Sequence, residues 1–133
     1  MSAEGATYLD SSAIVKLVVT EPESAALRRY LSRRRPLVSS ALAKAEVGRA
    51  LLPLGEQAVR RGQEALARLE LMRINERILA NAGQLLPAEL RTLDAIHVAS
   101  ALELRADLTR IVTYDERMHA AAEAAGCSVA APR

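Results

Sequence analysis

The chain has 133 residues, half of them apolar and about a quarter charged, and its formal net charge is +2. This composition excludes a disordered chain, and the length predicts one folded domain over residues 1–133. The single cysteine excludes a disulfide framework, and the lack of a long apolar run or signal sequence predicts a cytoplasmic protein without a membrane span.

The chain alternates between short apolar, β-prone runs and helical segments. In chain order the pattern predicts a strand at 6–9, helices at 13–19 and 21–32, a strand at 37–38, helices at 41–52 and 56–69, a strand at 69–74, helices at 75–83 and 93–104, a strand at 110–114, a helix at 116–126 and a last strand within 127–131. The expected helix caps include Ser11 or Ser12, Asn75 and Thr92. Such alternation predicts an α/β fold, in which a parallel sheet is covered by helices on both faces.

Four acidic residues occupy informative places in this pattern. Asp10 and Asp115 each follow a strand and precede a helix, and ligands of parallel sheets bind at that edge. Asp94 lies in the first turn of its helix, where the helix dipole favours an acid. Glu46 shares a helical face with small and apolar residues, which we expect to face the core: Leu42, Ala45, Arg49 and Ala50. Taken singly, each acid has an ordinary explanation as a cap, a dipole partner or half of a salt bridge.

Taken together, the four carboxylates predict a metal site. Carboxylates within about 4–6 Å of one another repel unless a positive charge lies among them. The pattern places no Lys or His there, although Glu46 could also pair with Arg49 or Lys44. Mg²⁺ or Mn²⁺ prefers hard oxygen ligands and would supply the missing charge. Asp10 and Asp94 are the expected direct or water-bridged ligands of the tighter ion. Glu46 and Asp115 are expected to complete the site as outer ligands, as ligands of a weaker second ion or as a proton acceptor.

Four segments carry a family resemblance: TYLDSSAIVKL (7–17), ALAKAEVGRAL (41–51), LRTLDAIHVASALEL (90–104) and IVTYDERM (111–118). In order and spacing they resemble the PIN-domain ribonucleases, and within that family the VapC toxins of bacterial toxin–antitoxin pairs. The resemblance implies a three-layer α/β/α fold with a mostly parallel sheet of four or five strands. It also implies a Mg²⁺- or Mn²⁺-dependent endoribonuclease that acts on RNA, forms a homodimer and is inhibited by a cognate antitoxin.

Carried over by residue, the resemblance places the family's acidic quartet on Asp10, Glu46, Asp94 and Asp115, and its small polar residue on Thr113. Ser11, Ser12 and Thr113 are then expected to orient the acids or the phosphate. Arg91 stands just before the helix of Asp94, where it could reach the acidic pocket. His97 lies in an apolar helix without a second His at ligand spacing, which favours a packed, hydrogen-bonded side chain over a metal ligand.

Arginine outnumbers lysine 16 to 2, and five arginines fall within residues 28–35. The excess of arginine over lysine has two possible explanations, which are genomic base composition and a need for phosphate contacts. The cluster from Arg28 to Arg35 could contact RNA, an acidic segment of the antitoxin or only solvent.

Two other classes of function remain open from the residues alone. Asp10 at a strand end would also suit a receiver domain or an aspartyl-phosphate phosphatase. The phosphatase pattern requires a second Asp where this chain has Ser12, and the receiver pattern requires a late Lys, whereas Lys16 and Lys44 lie early. A non-catalytic binding module, whose acids dock a basic partner, is the third possibility.

Overall fold

A computed structural model describes residues 5–133, which fold into five strands and seven α-helices. The strands are β1 (Ala6–Leu9), β2 (Leu37–Ser40), β3 (Glu70–Met72), β4 (Leu108–Val112) and β5 (Val129–Ala130). The helices are α1 (Ser11–Val18), α2 (Ser24–Leu31), α3 (Ala43–Leu51), α4 (Glu56–Ala67), α5 (Glu76–Ala82), α6 (Thr92–Glu103) and α7 (Glu116–Ala124). None of the helices in this part of the chain is long and apolar enough to cross a membrane.

The strands form one parallel sheet in the order β3-β2-β1-β4-β5. The chain leaves the central strand β1 toward β2 and β3, then crosses back and adds β4 on the other side of β1. The topology therefore changes direction between β1 and β4, and parallel sheets bind ligands outside the carboxyl ends of the strands at such a point. The predicted α/β fold with four or five strands is confirmed.

Helices cover both faces of the sheet because successive strand residues point to opposite sides. Leu9 and Val112 pack with α1 to α4 on one face. Tyr8 and Ile111 pack on the other face, where α6 and α7 contribute Ala101 and Ala122. This arrangement is the expected three-layer α/β/α architecture, and it places the ends of β1 and β4 between two helical layers.

Several predicted boundaries and caps are wrong in detail. The carboxylate of Asp10 accepts from the backbone N of Ala13, so Asp10 caps α1, which begins at Ser11 itself. Helix α6 begins at Thr92, and the residue before it, Arg91, caps it without a side-chain hydrogen bond. Strand β4 covers 108–112 and not 110–114, because Leu108 pairs with Ala6 at its start, while the Thr113 side chain bonds to Asp10 beyond its end.

Candidate active site

Asp10 lies at the carboxyl end of the central strand and is only 3% exposed. Its Oδ1 accepts hydrogen bonds from Ser12 Oγ (2.8 Å) and the Ala13 backbone N (3.0 Å), and its Oδ2 accepts from Thr113 Oγ1 (2.6 Å). Burial raises the pKa of the Asp10 carboxyl group, and these hydrogen bonds only partly oppose that effect. A rigid carboxylate in so little water favours a nearby positive charge.

Thr113 and Arg91 connect Asp10 to the other two aspartates. Thr113 Oγ1 also accepts from the backbone N of Asp115 (3.1 Å), while Asp115 caps α7 through its Oδ1. The remaining oxygen of Asp115 accepts from an Arg91 terminal nitrogen (3.3 Å), and Arg91 Nε donates to Asp94 Oδ2 (3.1 Å). One guanidinium therefore compensates two carboxylates, which arrive from the start of α6 and the end of β4.

Glu46 approaches the same edge from α3, where it is half-buried. Its Oε1 accepts from Ser11 Oγ (2.6 Å), and the Nε2–H of His97, also at 2.6 Å, donates to the same oxygen. Partial burial raises the pKa of Glu46, but the hydrogen bonds from His97 and Ser11 outweigh it and leave the pKa below its ordinary value. Oxygen Oε2 has no hydrogen bond within residues 5–133.

The expected surroundings of Glu46 are wrong in two respects. Helix α3 buries Ala43, Val47 and Leu51 and not the stripe of Leu42, Ala45, Arg49 and Ala50. Arg49 and Lys44 are consequently exposed, and neither pairs with Glu46 among the described residues.

His97 is the site residue whose role the sequence did not reveal. It is buried and hydrogen-bonded, as predicted, but it contacts an acid of the quartet, contrary to the expectation that no His lies among them. Behind it, the Tyr8 hydroxyl lies 2.7 Å from His97 Nδ1. Burial raises the pKa of Tyr8, which therefore keeps its proton and donates to the ring. The available signals were the three-residue spacing from Asp94 to His97 and the position of Tyr8 two residues before Asp10.

We expect Tyr8→Phe to lower the free energy of unfolding by about 1–3 kcal/mol, because it leaves a buried nitrogen of His97 without its partner. Every buried side-chain nitrogen and oxygen in the described part of the chain has such a partner. Chemical denaturation would measure the loss. The matched control is Tyr114→Phe, whose hydroxyl donates to the Pro132 carbonyl in a partly exposed place. Equal losses of unfolding free energy in the two variants would contradict a stabilising role for the hydrogen bonds that run from Tyr8 through His97 to Glu46.

The donor set suits a hydrated divalent cation. The carboxylates offer hard oxygen ligands, and no thiolate lies among the contacts of the site. Within residues 5–133, no three His, Cys, Asp or Glu side chains already converge to hold a metal ion. Arg91 bridges Asp94 and Asp115, and Ser11 and His97 hold Glu46. A bound cation would compensate the same negative charge that Arg91 compensates here.

Both the sequence and the fold are similar to those of known proteins. Residues 7–124 match the PIN domain family. The chain is 63% identical over 127 residues to Ribonuclease VapC46 of Mycobacterium tuberculosis, a match that covers 96% of this chain and 98% of that protein. It is 40% identical over 129 residues to Ribonuclease VapC35 of the same species, covering 94% and 96% of the two chains.

Solved structures share the fold. VapC20 of Mycobacterium tuberculosis, described as a sarcin-ricin loop cleaving toxin, aligns with a TM-score of 0.72 at 15% identity over 86% of this chain and 94% of that one. A chain of a toxin–antitoxin complex from Klebsiella pneumoniae also aligns with a TM-score of 0.72, at 19% identity over 96% and 98% of the two chains.

Proposed function

Given that the chain belongs to the PIN-domain family and, within it, to the VapC ribonucleases, we propose that it is a metal-dependent endoribonuclease whose active site is the acidic edge of the sheet. The observation that carries this proposal is the connection of all three aspartates through Thr113 and Arg91, with Glu46 held beside them by Ser11. Hydrogen bonds and ion pairs thus link carboxylates from separate elements at the edge where a parallel sheet binds its ligands.

Asp10 and Asp94 would hold a Mg²⁺ or Mn²⁺ ion, and Glu46 and Asp115 would complete its surroundings. When bound, such an ion lowers the pKa of water and neutralises the negative charge that develops on a phosphodiester under attack. Side chains of the protein itself orient the acids, accept the proton of the attacking water and bind the phosphate. No covalent nucleophile is needed, because water attacks the phosphorus.

The hydrogen bonds of the site prepare the acids for these roles. Thr113, Ser12 and the Ala13 backbone N fix both oxygens of Asp10. Ser11 and His97 both contact Oε1 of Glu46, which leaves Oε2 available to accept a proton from the attacking water. The lowered pKa of Glu46 keeps it ionised for this purpose at neutral pH. If Asp94 and Asp115 held a cation in place of Arg91, the Arg91 guanidinium would be free to bind the phosphate.

We further propose that a cognate antitoxin inhibits the enzyme. The Klebsiella protein with the same fold is part of a toxin–antitoxin complex. An arginine of such a partner could enter among the carboxylates, because Arg91 already binds two of them in this way. A homodimer remains a prediction.

The test of the proposed function is cleavage of labelled tRNA and other structured RNAs by the purified protein. We expect cleavage with Mg²⁺ or Mn²⁺ and none with EDTA, because without a metal ion nothing at the site lowers the pKa of the attacking water. Cleavage that persists in EDTA would contradict the metal-dependent mechanism.

The same preparations distinguish the other two classes of function. A phosphate acquired from a small phosphodonor would indicate a receiver or phosphatase site. Salt-sensitive binding of a basic partner without RNA turnover under any metal would indicate a binding module.

A further inference from the structure

Seven arginines form a surface apart from the acidic edge. Five lie at the end of α2 and in the loop after it, at positions 28, 29, 33, 34 and 35, and Arg61 and Arg68 face them from α4. We call these seven the arginine surface. Arg34 is half-buried and the others are exposed, and none of the seven pairs with a carboxylate of residues 5–133. The fold therefore leaves their charges uncompensated.

Two hollows lie on either side of α2 and meet at Ser32. The first, of about 400 Å³, is enclosed by α1, α2 and α4, and Glu64 is its one acidic lining residue in the described part of the chain. The second, of about 510 Å³, has no acidic lining residue among residues 5–133. Its arginines are Arg29, Arg33, Arg34 and Arg133. Positive charge thus continues around the end of α2.

We propose that the arginine surface binds the phosphate backbone of the RNA at a distance from the cleavage site, an inference that rests on the proposed function. The acidic edge holds four carboxylates, and Arg91 is the one arginine that pairs with any of them in the described residues, so this edge repels a polyanion. Contacts with the RNA backbone away from this edge would therefore supply affinity that the acids themselves do not. Arginine suits this task, because its planar guanidinium binds phosphate oxygens in pairs.

The position of the surface requires an RNA that is longer than the cleaved linkage. The first hollow reaches Leu37 and Leu69, which lie at the amino ends of β2 and β3, whereas the acids lie at the carboxyl ends of β1 and β4. A single RNA must follow the side of the domain to contact both places. A structured RNA with backbone on several sides meets this requirement.

The distribution of charge favours RNA over an acidic protein segment. The first hollow is lined in part by Leu31, Leu37 and Leu69, as a peptide site would be, whereas arginines make up half of the lining of the second hollow. Around the second hollow the charges repeat, and the guanidinium of Arg34 stacks on the Tyr30 ring at 3.8 Å. Repeated charge on both sides of one helix matches the repeated charge of a nucleic-acid backbone.

The experiment measures binding of a labelled tRNA transcript to the Asp94→Asn protein, which separates binding from turnover. In that background, one double variant removes Arg29 and Arg33 from the second hollow (R29Q/R33Q), and another removes Arg61 and Arg68 from the first (R61Q/R68Q). Each is expected to weaken binding about tenfold near 0.1 M salt and to reduce the slope of log K against log salt by roughly 1.4–1.8, as for two lost phosphate contacts. The control, R77Q/R105Q, makes the same change in net charge on α5 and the turn after α6 and is expected to shift either value by less than half as much.

Equal effects of all three double variants would overturn the proposal, because net charge alone would then explain the binding. Unchanged RNA binding with weaker binding of a partner protein would overturn it in favour of a peptide site. If both double variants of the surface weaken RNA binding but the wild-type protein cleaves no RNA with any metal, the arginine surface stands and the proposed nuclease function fails.

Discussion

Replacing Asp94 by asparagine is expected to slow RNA cleavage about a thousandfold, measured as the rate of product formation at saturating Mg²⁺ or Mn²⁺. The substitution removes one carboxylate charge from the proposed cation site and leaves Arg91 paired with Asp115 alone. A metal ion contributes several kcal/mol to a hydrolytic transition state, and roughly 4 kcal/mol corresponds to a thousandfold in rate. Asp10→Asn is expected to be equally severe, because Asp10 is the buried acid at the centre of the site.

The chain supplies its own control for these variants. Three of its four aspartates belong to the proposed site, and the fourth, Asp107, is exposed in the turn between α6 and β4. Asp107→Asn makes the same chemical change and is expected to retain the cleavage rate of the wild type. Full activity of both Asp10→Asn and Asp94→Asn would contradict the assignment of the acidic edge as the active site.

The placement of the aspartates was predictable because it depends on local sequence. The run at 6–9 is apolar, forms β1 as expected and ends at Asp10, and β4 likewise ends shortly before Asp115. The rule that parallel strands share a carboxyl edge then brings distant acids together without any knowledge of side-chain contacts. The same alternation predicts the parallel sheet with helices on both faces, whereas the number of strands was implied by the resemblance to the PIN-domain family.

The contacts of Glu46 were not predictable, because they join residues that are far apart in the chain. His97 lies 51 positions from Glu46, and Tyr8 lies 89 positions from His97. Helical periodicity alone assigned Glu46 to a core-facing stripe, but α3 is rotated so that Val47 and its neighbours pack inward. The rotation is set by packing against α1 and α4, which a single helix's pattern does not contain.

The ion pairs of the site likewise depend on contacts that the local sequence does not reveal. The sequence predicts that Arg91 reaches the acidic pocket, and in the fold Arg91 pairs with both Asp94 and Asp115. The sequence argument located Arg91 near one acid through its helix, but the second contact depends on where β4 ends beside α6. Such convergence is a property of the tertiary fold, so the need for a metal ion has to be measured directly.

Saturating Mn²⁺ is expected to raise the melting temperature of the wild-type protein by roughly 10 °C. A ligand at about 100 times its Kd stabilises the folded state by about 2.7 kcal/mol. In a domain of this length each kcal/mol moves the melting temperature by about 3–5 °C. Thermal unfolding followed by circular dichroism, with and without Mn²⁺, measures this shift.

The variants decide where the ion binds. Asp94→Asn is expected to show less than a third of the wild-type shift, whereas Asp107→Asn is expected to show all of it. The same shift in all three proteins would mean that Mn²⁺ binds outside the acidic edge, which contradicts the proposed site. Because this measurement needs no RNA, a failure to cleave the chosen RNAs can be told apart from the lack of a metal site. With a large shift in the wild type but no cleavage of any RNA under any metal, the metal site would stand and the proposed nuclease function would fail.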